Sequence, residues 1–150
     1  MNNKLDFDSL SSVFYNGCKT KNKWKVGTEH EKFGFHNKNF SPIGFDDIKE
    51  IFDLLSKKYK WEKILENNLV TSLKKNGASI TLEPGGQLEL SGAPFASLFE
   101  TCNEVNTHKE ELNDVCKSLD INFMGIGVLP KWDQEKIKIM PKKRYEIMSK

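Results

Sequence analysis

Residues 79–91 (Ser79-Ile80-Thr81-Leu82-Glu83-Pro84-Gly85-Gly86-Gln87-Leu88-Glu89-Leu90-Ser91) constrain the fold most, because apolar and polar residues alternate on both sides of a Pro-Gly-Gly bend. Successive strand side chains point to opposite faces. Ile80, Leu82, Leu88 and Leu90 therefore make one apolar face, and Thr81, Glu83, Gln87, Glu89 and Ser91 a polar one. Gly85 and Gly86 shape the bend, since glycine adopts positive φ without strain and lets a ligand approach the backbone. The segment predicts a hairpin with one side on a core and one side wet.

A second alternating stretch runs from Trp24 to Phe35 and reads as a strand. Glu29 and Glu31 share a face, their Cα atoms about 6–7 Å apart, with Phe33 and Phe35 beyond them. Val26, Thr28 and His30 face the other way. Two carboxylates this close repel unless a cation lies between them, and hard oxygen donors suit magnesium. The spacing alone fits either a metal role or an edge strand with a solvated face. Glu83 and Glu89 are likewise open to both readings, but four strand-borne acids with a glycine bend favour an ion held beside a phosphate-bearing substrate.

The remaining pattern predicts helices over Phe7–Gly17 and Phe45–Lys58, the latter with Ile48, Ile51, Phe52 and Leu55 on its stripe. Short strands are expected at Trp61–Leu65 and Leu69–Leu73, with turns at Asn67-Asn68 and Asn76-Gly77. A long helix entered at Pro94 places Leu98, Cys102, Val105, Leu112, Cys116 and Leu119 on one stripe, with His108 towards its wet side. Ile121–Leu129 reads as a buried strand. Pro130 and Pro141 bracket a loop, and a short basic helix follows over Lys142–Lys150. The expected class is α+β, a mainly antiparallel sheet flanked by helices.

Composition narrows the function. Charged residues make up 29% and hydrophobic ones 37% of 150 residues, and the formal charge is only +2, which gives no electrostatic argument for nucleic acid. Cys18, Cys102 and Cys116 are an odd number without a C-x-x-C pair, so neither a disulfide scaffold nor a zinc cluster is expected. His30 is expected to be a hydrogen-bonded core residue. No secretory signal or membrane-length apolar run is visible, and a cytoplasmic address is the expectation. Gly125-Ile126-Gly127 lacks the third glycine of a dinucleotide fingerprint. Lys142, Lys143 and Arg144 form either a solvated helix start or a source of guanidinium for a carboxylate or phosphate.

Val26-Gly27-Thr28-Glu29-His30-Glu31-Lys32-Phe33-Gly34-Phe35 resembles the signature strand of the plant-type glutamate–cysteine ligases, which many proteobacteria share. Ser79 to Pro94 is similar to the second signature of that family. Thr101–Asn106, Leu129–Trp132 and Ile139–Met148 continue the resemblance in register, with Leu88 where an aromatic residue is usual and Lys143 where a glycine is usual. The resemblance implies a glutamine-synthetase-like catalytic fold and ATP-dependent joining of the L-glutamate γ-carboxylate to the L-cysteine amine through γ-glutamyl phosphate, the first step of glutathione synthesis. It implies Mg2+ held by Glu29, Glu31, Glu83 and Glu89, and Arg144 binding an anionic group of substrate or nucleotide. Family members are several hundred residues long, so residues 1–150 are expected to be the N-terminal portion of one catalytic domain, incomplete as an enzyme. The alternatives are a related carboxylate–amine ligase with another amine acceptor and a non-catalytic metal- or anion-binding module.

Overall fold

The computed structural model describes residues 6–130 and 139–150. Most of the loop expected between Pro130 and Pro141 lies outside them. Six strands form one antiparallel sheet in the order β2-β3-β4-β5-β1-β6. They are β1 (Glu29–His36), β2 (Glu62–Glu66), β3 (Leu69–Lys75), β4 (Ala78–Leu82), β5 (Leu88–Ser91) and β6 (Ile121–Met124). Helices α1 (Phe7–Gly17), α2 (Phe45–Tyr59), α3 (Leu98–Cys116) and α4 (Lys143–Met148) complete the fold, which is the expected α+β class.

Turn chemistry sets the order β2-β3-β4. Asn67 and Asn68 have φ of 51° and 64°, and Asn76 and Gly77 have 51° and 86°. Paired positive φ matches the twist of a two-residue hairpin, and Asn and Gly tolerate it best. The β4–β5 hairpin then lays Ile80, Leu82, Leu88 and Leu90, all at 0% exposure, under α2 and α3. Ile48, Ile51, Phe52 and Leu55 of α2 are equally buried against them. Each such side chain contributes about 1.5–3 kcal/mol through burial. Gly34 admits the side chain of Ile43, which precedes α2: a Cβ there would lie 2.4 Å from Ile43 Cδ1.

Four expectations need correction. β1 starts at Glu29 and not at Trp24, because only an isolated Val26–Phe95 bridge precedes it. On α3, Leu98 is 66% exposed and Cys102 is exposed as well. The buried face there is Thr101, His108, Glu111, Leu112, Val115 and Cys116, with Val105 and Leu119 packed beside it, so the expected stripe holds except at Leu98 and Cys102, and His108 is not on a wet side. Finally, β6 ends at Met124, and Gly125 and Gly127 follow outside any strand. Phe33, Phe35 and Leu129 form a second, smaller apolar cluster.

Candidate active site

Strands β4, β5 and β1 bring the acids onto the face opposite the helices. Glu31 pairs across from Glu89, Glu29 from Ser91, and Glu89 from Thr81. Directly opposed side chains have Cβ atoms about 4.5–5.5 Å apart, so Glu31 and Glu89 are a like-charge pair that the fold holds together at a cost. Neutral donors soften the repulsion. Gln87 Nε2 donates to Glu31 at 3.0 Å, and the Thr81 and Ser91 hydroxyls each donate to Glu89 at 3.1 Å. Glu29 and Glu31 are exposed, and Glu89 is half-buried.

Glu83 follows β4 on the same face but is engaged differently. Arg144 pairs with one of its oxygens, and the Tyr145 hydroxyl lies 2.9 Å from the other. That hydroxyl is also 2.9 Å from the Leu82 carbonyl and receives a hydrogen bond from Arg144 at 2.6 Å. Lys142 Nζ donates to the same carbonyl at 2.9 Å. The hydrogen bond with Tyr145, then the Glu83 charge, holds the Arg144 guanidinium pKa above its ordinary value. α4 is thereby fastened over the β4–β5 bend, where Gly85 and Gly86 have φ of 76° and 82°.

The donors on this face are all oxygen, the chemistry a hard divalent cation takes. Among the described residues, no three His, Cys, Asp or Glu side chains converge closely enough to hold an ion. The structure thus brings Glu29, Glu31 and Glu89 onto adjacent positions and gives Glu83 a separate, cationic neighbour.

Beneath the acids lies a residue the sequence reading passed over. Lys32 is 2% exposed on the helix side, with Nζ donating to the His30 carbonyl at 2.9 Å. Burial draws its pKa down to about 8, while Glu89 and Glu31 pull the other way. Strand parity was the available signal, since Lys32 follows Glu31 directly and so faces the opposite side of the strand, with His30. Tyr145 was missed because an aromatic on a basic helix reads as packing.

The histidines depart from expectation. His30 is half-buried, but its Nδ1 has no hydrogen-bond partner among the described residues. His108 is 2% exposed, with neither ring nitrogen partnered. Burial, then Lys32 and His30, pushes its pKa down to about 3, so the ring is neutral. His36 Nε2 lies 3.5 Å from Asp47. Burial raises the Cys116 thiol to about 12, which leaves it protonated.

The family model of glutamate-cysteine ligase family 2 matches residues 25–150. The chain belongs to that family. It is 47% identical to the chloroplastic glutamate–cysteine ligase of Medicago truncatula over 146 residues, covering 97% of this chain and 29% of that protein. The chloroplastic enzyme of Arabidopsis thaliana is 47% identical over 144 residues, 96% of this chain and 28% of its own length. Chloroplastic glutamate–cysteine ligase B of Oryza sativa subsp. japonica is 48% identical over 148 residues, 99% and 30% respectively. The chain therefore spans under a third of the length of the curated relatives it matches. These names overturn the cytoplasmic expectation, since each points to a plastid. Composition was too weak a basis for an address.

Proposed function

We propose that this chain is the N-terminal portion of a glutamate–cysteine ligase that uses ATP to join the γ-carboxylate of L-glutamate to the amine of L-cysteine. The observation that carries the reading is the family match over residues 25–150, on a chain whose sheet presents Glu29, Glu31 and Glu89 together on the face away from its helices. ATP phosphorylates the γ-carboxylate, and the cysteine amine then displaces phosphate from γ-glutamyl phosphate. The difficulty is charge, because a triphosphate must approach a carboxylate. Mg2+ would be held by Glu29, Glu31 and Glu89, with Glu83 joining if Arg144 releases it, and would supply neutralisation of phosphate charge. Arg144, which pairs with Glu83, would exchange it for an anionic substrate group.

Phosphate release from ATP by the whole gene product, with L-glutamate and a panel of amines, tests this. Mg2+-dependent release that needs cysteine is the expected result. A different preferred amine would move the protein to another ligase, and saturable ATP binding without turnover would make it a binding module.

A further inference from the structure

α3 buries polar groups where a core-facing helix ordinarily buries apolar ones. Thr101, Glu104, His108 and Glu111 recur at three- and four-residue steps, and so lie along one side of the helix, facing the sheet. Thr101, His108 and Glu111 are 7%, 2% and 7% exposed. Glu111 is satisfied, accepting from Trp61 Nε1 at 2.7 Å and Lys75 Nζ at 2.6 Å. Glu104 accepts the Ala93 backbone N–H at 3.0 and 3.2 Å and no cation pairs with it among the described residues. Neither His108 nitrogen has a partner there.

Glu104, His108 and Glu111 line a cavity of about 280 Å³ on the helix side of the sheet, away from the acids of β1 and β5, with Trp61, Leu90 and Phe95 as its apolar walls. Its charged lining is two carboxylates, Glu104 and Glu111, against one ammonium, Lys75. Within the lining itself one negative charge is in excess, and the buried Lys32 ammonium acts on His108 from outside that lining. The cavity wall already holds an ammonium: Lys75 Nζ sits 5.4 Å from the Trp61 ring centre and 5.9 Å from that of Tyr59, beside Glu111. A neutral imidazole offers one acceptor nitrogen and one donor.

We propose that this cavity is a second small-molecule site, binding a compact organic primary ammonium compound whose charge is received by Glu104 and the acceptor nitrogen of His108 and whose carbon body lies on Trp61, Leu90 and Phe95. It is independent of the acid face and of the ligase reading. Glu104 supplies the charge that Lys75 does not cancel, and His108 gains the partner it lacks.

Benzylamine and benzyl alcohol, equal in shape and different in charge, are the probes for the full chain, with affinity read by titration calorimetry in every variant and contact by the imidazole 15N shifts of His108 where that residue is present. Saturable benzylamine binding is expected, with the alcohol at least about tenfold weaker. Glu104→Gln, which keeps an acceptor for Ala93, should weaken the amine about tenfold or more, while Glu31→Gln leaves its affinity unchanged. His108→Leu, checked for an intact melt, should abolish binding and serves if Glu104→Gln does not fold. Equal affinity for amine and alcohol would overturn the site. So would undiminished binding in both variants, or no saturation by about 20 mM, which would make the cavity a water pocket.

Discussion

On the helix side of the β4–β5 hairpin, Ile80, Leu82, Leu88 and Leu90 are wholly buried, while their immediate neighbours Thr81, Glu83, Gln87 and Glu89 stand half-buried on the other side, hydrogen-bonded to one another's surroundings. The same strands carry both sets, so backbone pairing cannot distinguish them. What differs is which free energy each face serves. The helix face lowers the energy of the fold by removing apolar surface from water. The acid face raises it by setting Glu31 opposite Glu89, an arrangement that folding alone gives no reason to keep.

That contrast predicts opposite responses to substitution. Glu31→Gln or Glu89→Gln in the whole enzyme should lower kcat by about 10²–10³, the usual loss when charge stabilisation of a transition state goes, with urea stability unchanged or raised. Leu90→Ala should cost about 2–5 kcal/mol in urea unfolding, because the cavity it leaves cannot fully collapse. Were the glutamine variants to unfold early and keep their rate, the acid face would be structural and the contrast would fail.

The helix face also buries polar groups, and pH exposes one of them. His108 titrates near 3 in the fold and at 6.5 as a free side chain. Between those values the unfolded chain binds a proton that the folded chain refuses, so stability falls as pH drops from 6.5 towards 3 and is unaffected by this group above that window. From pH 6.5 to 4.5 the loss amounts to about 2–3 kcal/mol. His108→Leu should remove that much of the acid-induced drop, measured as the difference between urea midpoints at the two pH values. An identical drop in both proteins would show that the ring takes up its proton as readily in the fold as in the unfolded chain.

These two faces were unequally legible in the sequence. Period-two alternation told which residues of the hairpin share a side, and Asn-Asn and Asn-Gly marked the turns, because both signals act between near neighbours. The polar part of the buried face of α3 was not legible. Thr101, His108 and Glu111 look like a solvated stripe, and only Trp61, Lys75 and the cavity beside them show why that part faces inward. The pairing of Arg144 with Glu83 spans 61 positions, and no local pattern reports a contact made by tertiary docking.

Tyr145 is where the two faces meet, and it gives the smallest and sharpest test. Its ring belongs to the helix-side core, while its hydroxyl reaches Leu82 O and Glu83. Burial raises the phenol's pKa, so it remains a neutral donor. Tyr145→Phe keeps the ring and deletes only the hydroxyl, leaving Arg144 to hold Glu83 alone. The expected loss is about 1 kcal/mol, the net worth of one intramolecular hydrogen bond. If core packing of the ring fastens α4, activity of the whole enzyme should follow that small loss and no more. A fall in rate comparable to Glu31→Gln would mean that the hydroxyl sets the position of Glu83 for catalysis, and would move Tyr145 from the core face to the acid one.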